Sequence, residues 1–219
     1  MKVSIVIPTL NEEQNLQKVL RSIPKDIYEV IIVDGHSKDK TVEIAKKFGA
    51  KVVFDDKGKG SALRKGMKTA KGDIVIMMDA DCSHKSSEIG LLTEGIKAGF
   101  DVCMGSRFIQ GGGTEDMSWY REIGNKFFVF LVNLIWRMNY SDLCYGYRSF
   151  RKNCINKLDL KEDGFGIETE ISIKAAKKKL RILEVPSYEK ARDSGEGRLR
   201  TFNDGWQIFK TIICEMFSD

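Results

Sequence analysis

The chain has 219 residues, enough to bury one full core, and its 42% hydrophobic and 31% charged residues are an ordinary globular composition. Its 36 basic and 31 acidic residues leave +5, an excess that suits phosphates or a lipid surface but is too small and too evenly spread for nucleic acid. Cysteines at Cys82, Cys103, Cys144, Cys154 and Cys214 form no Cys-x-x-Cys pair, which favours reduced thiols in a cytosol over a disulfide frame or zinc site.

A short strand is predicted over residues 3–7, with an apolar run too brief for a signal peptide or a spanning helix. A helix follows over about 11–23, with Leu16, Val19, Leu20 and Ile23 on one face. The β-branched run 30–33 reads as a second strand, 41–48 as a helix, 51–54 as a third strand and 60–70 as a third helix. Strand alternating with helix calls for a parallel sheet with right-handed crossovers, whose ligands collect at the carboxyl ends of the strands. Those ends carry residues 8–12, 34–39, 55–60 and 79–81, so the polar loops converge on one edge.

The fourth strand, 74–78, is apolar and ends in Asp79-Ala80-Asp81. Side chains alternate along an extended chain, so the two acids project to one side and repel one another unless a cation sits between them. Two hard oxygen donors suit Mg²⁺ or Mn²⁺, which keep waters and take further ligands from a substrate's phosphates. A plain solvent-exposed strand end is the competing explanation.

Beyond Asp81 the pattern gives a helix over 88–98, a strand over 101–104, a glycine-rich loop at 111–113 and a long apolar stretch over 120–137. A strand around Phe150, a helix over 168–179, a strand over 181–185, a polar loop over 192–200 and a terminal helix over 204–217 complete the chain. The longest apolar run, 127–136, falls short of the roughly 20 residues a membrane span needs, so no crossing of a bilayer is expected.

In this order the chain resembles the family 2 glycosyltransferases of the A-type fold, and within them the dolichyl- or polyprenyl-phosphate sugar synthases. The matching residues are Ile7-Pro8-Thr9-Leu10-Asn11-Glu12, Val33-Asp34-Gly35-His36-Ser37, Gly58-Lys59-Gly60, Asp79-Ala80-Asp81, Gly105-Ser106-Arg107, Arg121, Asp142 with Gly146-Tyr147-Arg148, and Val185-Pro186. Each motif is weak alone, and their collinearity makes the signal specific. The resemblance implies an α/β domain of GT-A type, a Rossmann-like, mostly parallel sheet flanked by helices. It implies one domain over 1–219, with a nucleotide-sugar half at 1–104 and an acceptor half at 105–219.

The resemblance also implies roles. Pro8, Leu10 and Glu12 would form the base pocket, and Asp34 would touch base or ribose, although with Ser37 it could equally cap the following helix. Asp79 and Asp81 would hold Mg²⁺ or Mn²⁺ on the donor diphosphate. Ser83 and His84 stand where lipid-phosphate relatives often carry a glutamine and a histidine. Gly58-Lys59-Gly60-Ser61 lacks Walker spacing and reads as a tight turn, with Lys59 a phosphate candidate. Arg107 and Arg121 would grip the acceptor phosphate, a task that suits a guanidinium fork, unless they pair with Glu115 or Asp116. Arg192 and Arg198 belong to a loop that closes over diphosphate and acceptor. Asp142 is a catalytic candidate, Arg148 a structural one, and Glu168 and Glu170 are open between site and exposed helix face.

Residues 127–132 are too apolar for a solvent-facing helix, and fit either a core or dimer helix or one lying on a bilayer. The expected activity is a metal-dependent, inverting transfer of a hexose from a GDP- or UDP-hexose to a dolichyl or polyprenyl phosphate. It would take place at the cytoplasmic membrane face, by peripheral attachment or through a separate membrane subunit. A soluble family 2 transferase acting on a hydroxyl, with Asp142 or Glu168 as base, and a nucleotide-sugar-binding module without turnover are the rivals.

Overall fold

Alternating β-branched and amphipathic segments wind the first half of the chain into a parallel sheet. The elements are β1 (Val3–Thr9), α1 (Glu13–Ser22), β2 (Glu29–Asp34), α2 (Thr41–Lys47), β3 (Lys51–Phe54), α3 (Lys59–Thr69) and β4 (Ile74–Met77). In this computed structural model, which describes residues 1–195 and 201–218, β1 pairs in parallel with β2 and β4, and β2 with β3. After a 3₁₀ turn at Ser86–Glu88 come α4 (Ile89–Lys97), β5 (Val102–Ser106), β6 (Gly113–Thr114) and α5 (Trp119–Trp136). The chain continues through β7 (Arg148–Arg151), α6 (Lys152–Leu158), α7 (Ile167–Lys177), β8 (Ile182–Pro186), β9 (Tyr188–Glu189) and α8 (Thr201–Met216).

The seven-stranded sheet runs β3-β2-β1-β4-β7-β5-β8, and β6 and β9 form a separate parallel pair. Strand β7 alone in that sheet runs antiparallel, between β4 and β5. Both halves of the chain therefore contribute strands to one sheet. Alternation along each strand divides the core in two: Val6, Val33, Val75 and Met77 face the side covered by α3, α7 and α8, while Ile5, Ile7, Ile32 and Ile76 face α1 and α4. Helix α3 lies close on the sheet because Gly66 has no side chain: a Cβ there would stand 2.2 Å from Val6 Cγ1 and 2.9 Å from Val33 Cγ2.

The sequence reading missed α6, the β6–β9 pair and the direction of β7. Helix α6 begins directly after β7 and has only 7 residues, too few for a periodic pattern. The β6 and β9 strands have 2 residues each and exist only through their mutual register.

Candidate functional site

The carboxyl ends of β1, β2, β3 and β4 open on a cleft of about 1460 Å³. Its wall includes Pro8, Leu10 and Glu12 after β1, Gly35 after β2, Asp55 and Asp56 after β3, and Asp79 and Asp81 after β4. Arg107, Arg121 and Arg192 line the same cleft, so the first and last thirds of the chain meet there.

Asp34 does not line this wall. It is fully buried and accepts hydrogen bonds from Thr9 Oγ1 at 2.9 Å, Ser37 N at 2.7 Å and Ser37 Oγ at 2.6 Å. Its carboxylate braces the loop that presents Gly35, and the acids on the wall beside that loop are Asp55 and Asp56. Asn11, in left-handed backbone at φ 54°, ties the β1 loop to the β2 loop: its N–H donates to Ser37 Oγ and its Oδ1 accepts from Lys38 N, each at 2.8 Å.

Asp79 meets the Lys59 ammonium at 3.1 Å, and Lys59 also lies 3.0 Å from Glu168 Oε1 in the first turn of α7. Burial would lower the pKa of Lys59, but the two carboxylates outweigh it and hold the ammonium charged. For Asp79, burial pushes upward and the Lys59 charge prevails, so its carboxyl stays below the usual range. The Asp79 N–H donates to His84 Nδ1 at 3.1 Å, so that nitrogen is unprotonated and Nε2 carries the hydrogen. His84 stacks on Tyr147, with ring centroids 4.6 Å apart, which fixes the plane of the imidazole.

Asp81 accepts from Ser83 N at 3.0 Å and Ser83 Oγ at 2.7 Å, and its other oxygen lies 3.4 Å from Arg192. Arg192 also pairs with Glu12, and its Nε donates to Ser194 O at 2.8 Å. Burial would lower the Arg192 pKa, and Glu12 and Asp81 raise it. The 192–194 segment is thus strapped across the β1 and β4 loops, with Asp193 N donating to Asp81 O at 3.2 Å. Arg192, expected near an acceptor phosphate, stands between these two acids. Arg198 lies outside the described residues.

Arg107 is nearly buried and held by Asp142, with Nε at 2.7 Å from Oδ2 and Nη2 at 2.9 Å from Oδ1, while Nη1 reaches Glu189 at 3.0 Å. Asp142 is fully buried behind the guanidinium and does not line the cleft. In this structure its carboxylate braces Arg107. Arg121 projects from the first turns of α5, and its Nε donates to Thr201 Oγ1 at 3.2 Å. Arg148 is buried, donating to Leu143 O, Tyr145 O, Glu168 O and Ser172 Oγ, so it ties α7 to the loop before β7.

Among the described residues, no group of three or more His, Cys, Asp or Glu side chains could cage a metal. Asp79 and Asp81 are two half-buried carboxylates that open into the cleft, an oxygen-only donor set. That set fits Mg²⁺ or Mn²⁺ completing its shell with diphosphate oxygens and water.

Helices α5 and α8 form one rim. Tyr120, Arg121, Gly124 and Phe128 of α5 and Thr201, Asp204 and Ile208 of α8 line the cleft. The same helices expose Trp119, Ile123, Phe127, Phe130 and Leu134, and Phe202 and Trp206, with Phe217 exposed just beyond α8. No helix among the described residues is long and apolar enough to cross a membrane.

The family model described as glycosyl transferase family 2 matches residues 4–159. The chain is 35% identical over 212 residues to a dolichol-phosphate mannosyltransferase of Pyrococcus furiosus, covering 91% of this chain and 60% of that protein. It is 30% identical over 215 residues to a dolichyl-phosphate hexose transferase of Haloferax volcanii, covering 96% of this chain and 92% of that protein. Among solved structures, glucosyl-3-phosphoglycerate synthase of Mycobacterium tuberculosis, in complex with Mn²⁺, UDP and phosphoglyceric acid, superposes with a TM-score of 0.76 at 20% identity. That match covers 100% of this chain and 79% of the other, and at such identity it establishes the GT-A fold alone.

Proposed function

The chain belongs to glycosyltransferase family 2, and from that premise we propose that it transfers a hexose from a GDP- or UDP-hexose to a polyprenyl or dolichyl phosphate. The chain spans 60% of the length of its Pyrococcus furiosus relative, so the proposal rests on its own cleft. The observation that carries it is the build of α5, which turns Arg121 into the cleft and Trp119, Ile123, Phe127 and Phe130 outward. One helix thereby joins an anion-binding group to an apolar face, the pairing that an amphiphilic phosphate requires.

The donor's diphosphate would lie at Asp79 and Asp81, between Lys59 and Arg192, with its base toward Leu10, Gly35, Asp55 and Asp56. A divalent ion held by Asp79 and Asp81 would neutralise charge on the departing nucleoside diphosphate. Arg107, fixed by Asp142 and Glu189, and Arg121 would orient the acceptor phosphate for in-line attack. A phosphate oxygen forms the bond to the anomeric carbon, the bond to the nucleoside diphosphate breaks with its electron pair, and configuration inverts. A phosphate monoester with a second pKa near ~6 is already anionic at neutral pH, so no proton need be removed.

A hydroxyl acceptor would need a base, and the two carboxylates considered for that role are engaged: Asp142 with Arg107, and Glu168 with Lys59. The exposed apolar faces of α5 and α8 would rest on the cytoplasmic membrane surface, bringing the cleft to the lipid headgroups.

The test incubates the purified chain with Mn²⁺ or Mg²⁺, UDP- and GDP-hexoses and a short polyprenyl phosphate. Glycolipid formation that is lost in Arg121→Ala and Asp81→Ala supports the proposal. Release of nucleoside diphosphate without glycolipid refutes the lipid acceptor.

A further inference from the structure

Glu168 is 4% exposed at the start of α7, where its carboxylate approaches Lys59 at 3.0 Å. Lys59 occupies the first position of α3, and that helix start is itself anchored from the α7 side, because Gly60 N and Ser61 N donate to Asp163 O at 2.8 and 3.2 Å. The ammonium is consequently shared between Glu168, a residue with a buried side chain, and Asp79, whose carboxylate opens into the cleft. Gly146 explains how three charged groups fit together. A Cβ at that position would stand 3.2 Å from Glu168 Oε1, 3.4 Å from Lys59 Nζ and 3.5 Å from Asp79 Oδ2. The backbone of residue 146 is the floor on which the three groups meet.

Resting on the donor-site reading above, we infer that Glu168 is a positioning residue for the metal-binding carboxylate. Lys59 Nζ lies 3.1 and 3.2 Å from the two Asp79 oxygens and 3.0 Å from Glu168 Oε1, so Glu168 gives the ammonium a second counterion and lets Asp79 exchange it for a divalent cation. Lys59 remains in the cleft as a fixed positive group beside the diphosphate. Without the Glu168 charge, Lys59 depends on Asp79 for its neutralisation, and both the competition for that carboxylate and the added net positive charge oppose a divalent cation. Glu168 lines the same cleft with its carboxylate on Lys59, and its proposed effect on the cation runs through that ammonium.

The experiment measures Mn²⁺ affinity of the intact chain, from the electron paramagnetic resonance signal of free Mn²⁺, in the presence of GDP or UDP. Glu168→Gln is expected to weaken Mn²⁺ binding by about 10-fold, the scale of one partly screened charge contact, with the thermal midpoint recorded alongside. In the Lys59→Met background, where no ammonium is left to move, the same substitution should cost clearly less. Gly146→Ala, which presses on the same three groups, should weaken Mn²⁺ binding in the same direction and serves if Glu168→Gln does not fold. Equal effects of Glu168→Gln in both backgrounds, or none in either, overturn the inference while leaving the donor site standing. A wild-type chain that binds no Mn²⁺ with either nucleotide, or an Asp81→Asn variant that binds it unchanged, overturns the donor-site reading and the inference together.

Discussion

Arg107 and Asp142 meet in a two-pronged ion pair, at 2.7 and 2.9 Å, in which the guanidinium reaches the cleft and the carboxylate is closed off behind it. Breaking a buried pair by removing one partner typically costs about 3–5 kcal/mol, because the other charge stays buried without compensation. Asp142→Ala should therefore lower unfolding stability by that order, read from urea denaturation. Asp142→Asn, which keeps one acceptor oxygen, should cost less stability yet raise KM for the lipid phosphate, since Arg107 loses its fixed orientation. Wild-type KM in Asp142→Asn would argue that Arg107 does not touch the acceptor.

Acid should weaken the fold through Asp101 and Asp39. Burial would raise the pKa of Asp101, but the Arg181 N–H at 2.9 Å and the Arg181 guanidinium outweigh it and leave it below the ordinary value. Asp39 is lowered in the same way, against its burial, by hydrogen bonds from the Thr41 hydroxyl and from the N–H groups of Thr41 and Glu13. A carboxyl depressed in the folded state contributes stability that is present above its unfolded pKa, about 3.9 for Asp, and lost as pH falls through its folded value. Stability should thus hold from neutrality to about pH 5 on this account and drop below about pH 4. Asp101→Asn should flatten that acid limb, and a limb of unchanged slope in urea melts would show that Asp101 is not a contributor.

Much of this site is legible in the sequence because it depends on period-two alternation and on loop order. Asp79 and Asp81 follow an apolar strand, and the structure turns both into the cleft. Asp142 and Asp34 are both buried off the cleft wall for a reason that a motif does not carry: it says which residue recurs near a site, and burial and partners decide which groups that residue meets. Glu168 was ambiguous because α7 is buried on every side from Ile167 to Ala175, so its sequence carries no face to read. The Arg192–Glu12 pair joins residues 180 positions apart, and only the folded chain brings them together. Asp55 and Asp56 did carry a signal, since they directly follow a predicted strand at the ligand edge.

Gly66 offers a test of how tightly α3 is seated. An added methyl would enter Val6 and Val33 at distances that no real contact shows, so one of those core side chains or the helix axis must shift. Overpacking of this kind costs typically 1–3 kcal/mol, more than the roughly 0.5–1 kcal/mol that Ala gains over Gly inside a helix. Gly66→Ala should come out destabilised by about 1–2 kcal/mol in urea titrations. Because α3 also carries Lys59, a shift of its axis should weaken nucleotide binding as well, which calorimetry with GDP and UDP would register.

The outward faces of α5 and α8 test the membrane assignment. Phe127 is 51% and Trp206 68% exposed, so serine at either position should change folding stability by no more than about 0.5 kcal/mol. Transfer of such side chains into the headgroup and acyl boundary is favourable by about 25 cal/mol for each Å² of apolar surface removed from water, which amounts to more than 1 kcal/mol apiece. The Phe127→Ser/Trp206→Ser double variant should therefore lose at least about tenfold in partition to liposomes containing anionic lipid, measured by co-sedimentation. Glycosyl transfer to a short, water-dispersed polyprenyl phosphate should be spared, because neither side chain lines the cleft. Equal loss of both activities would instead mean that these residues support the fold of the rim, and unchanged partition would remove α5 and α8 as the membrane-facing surface.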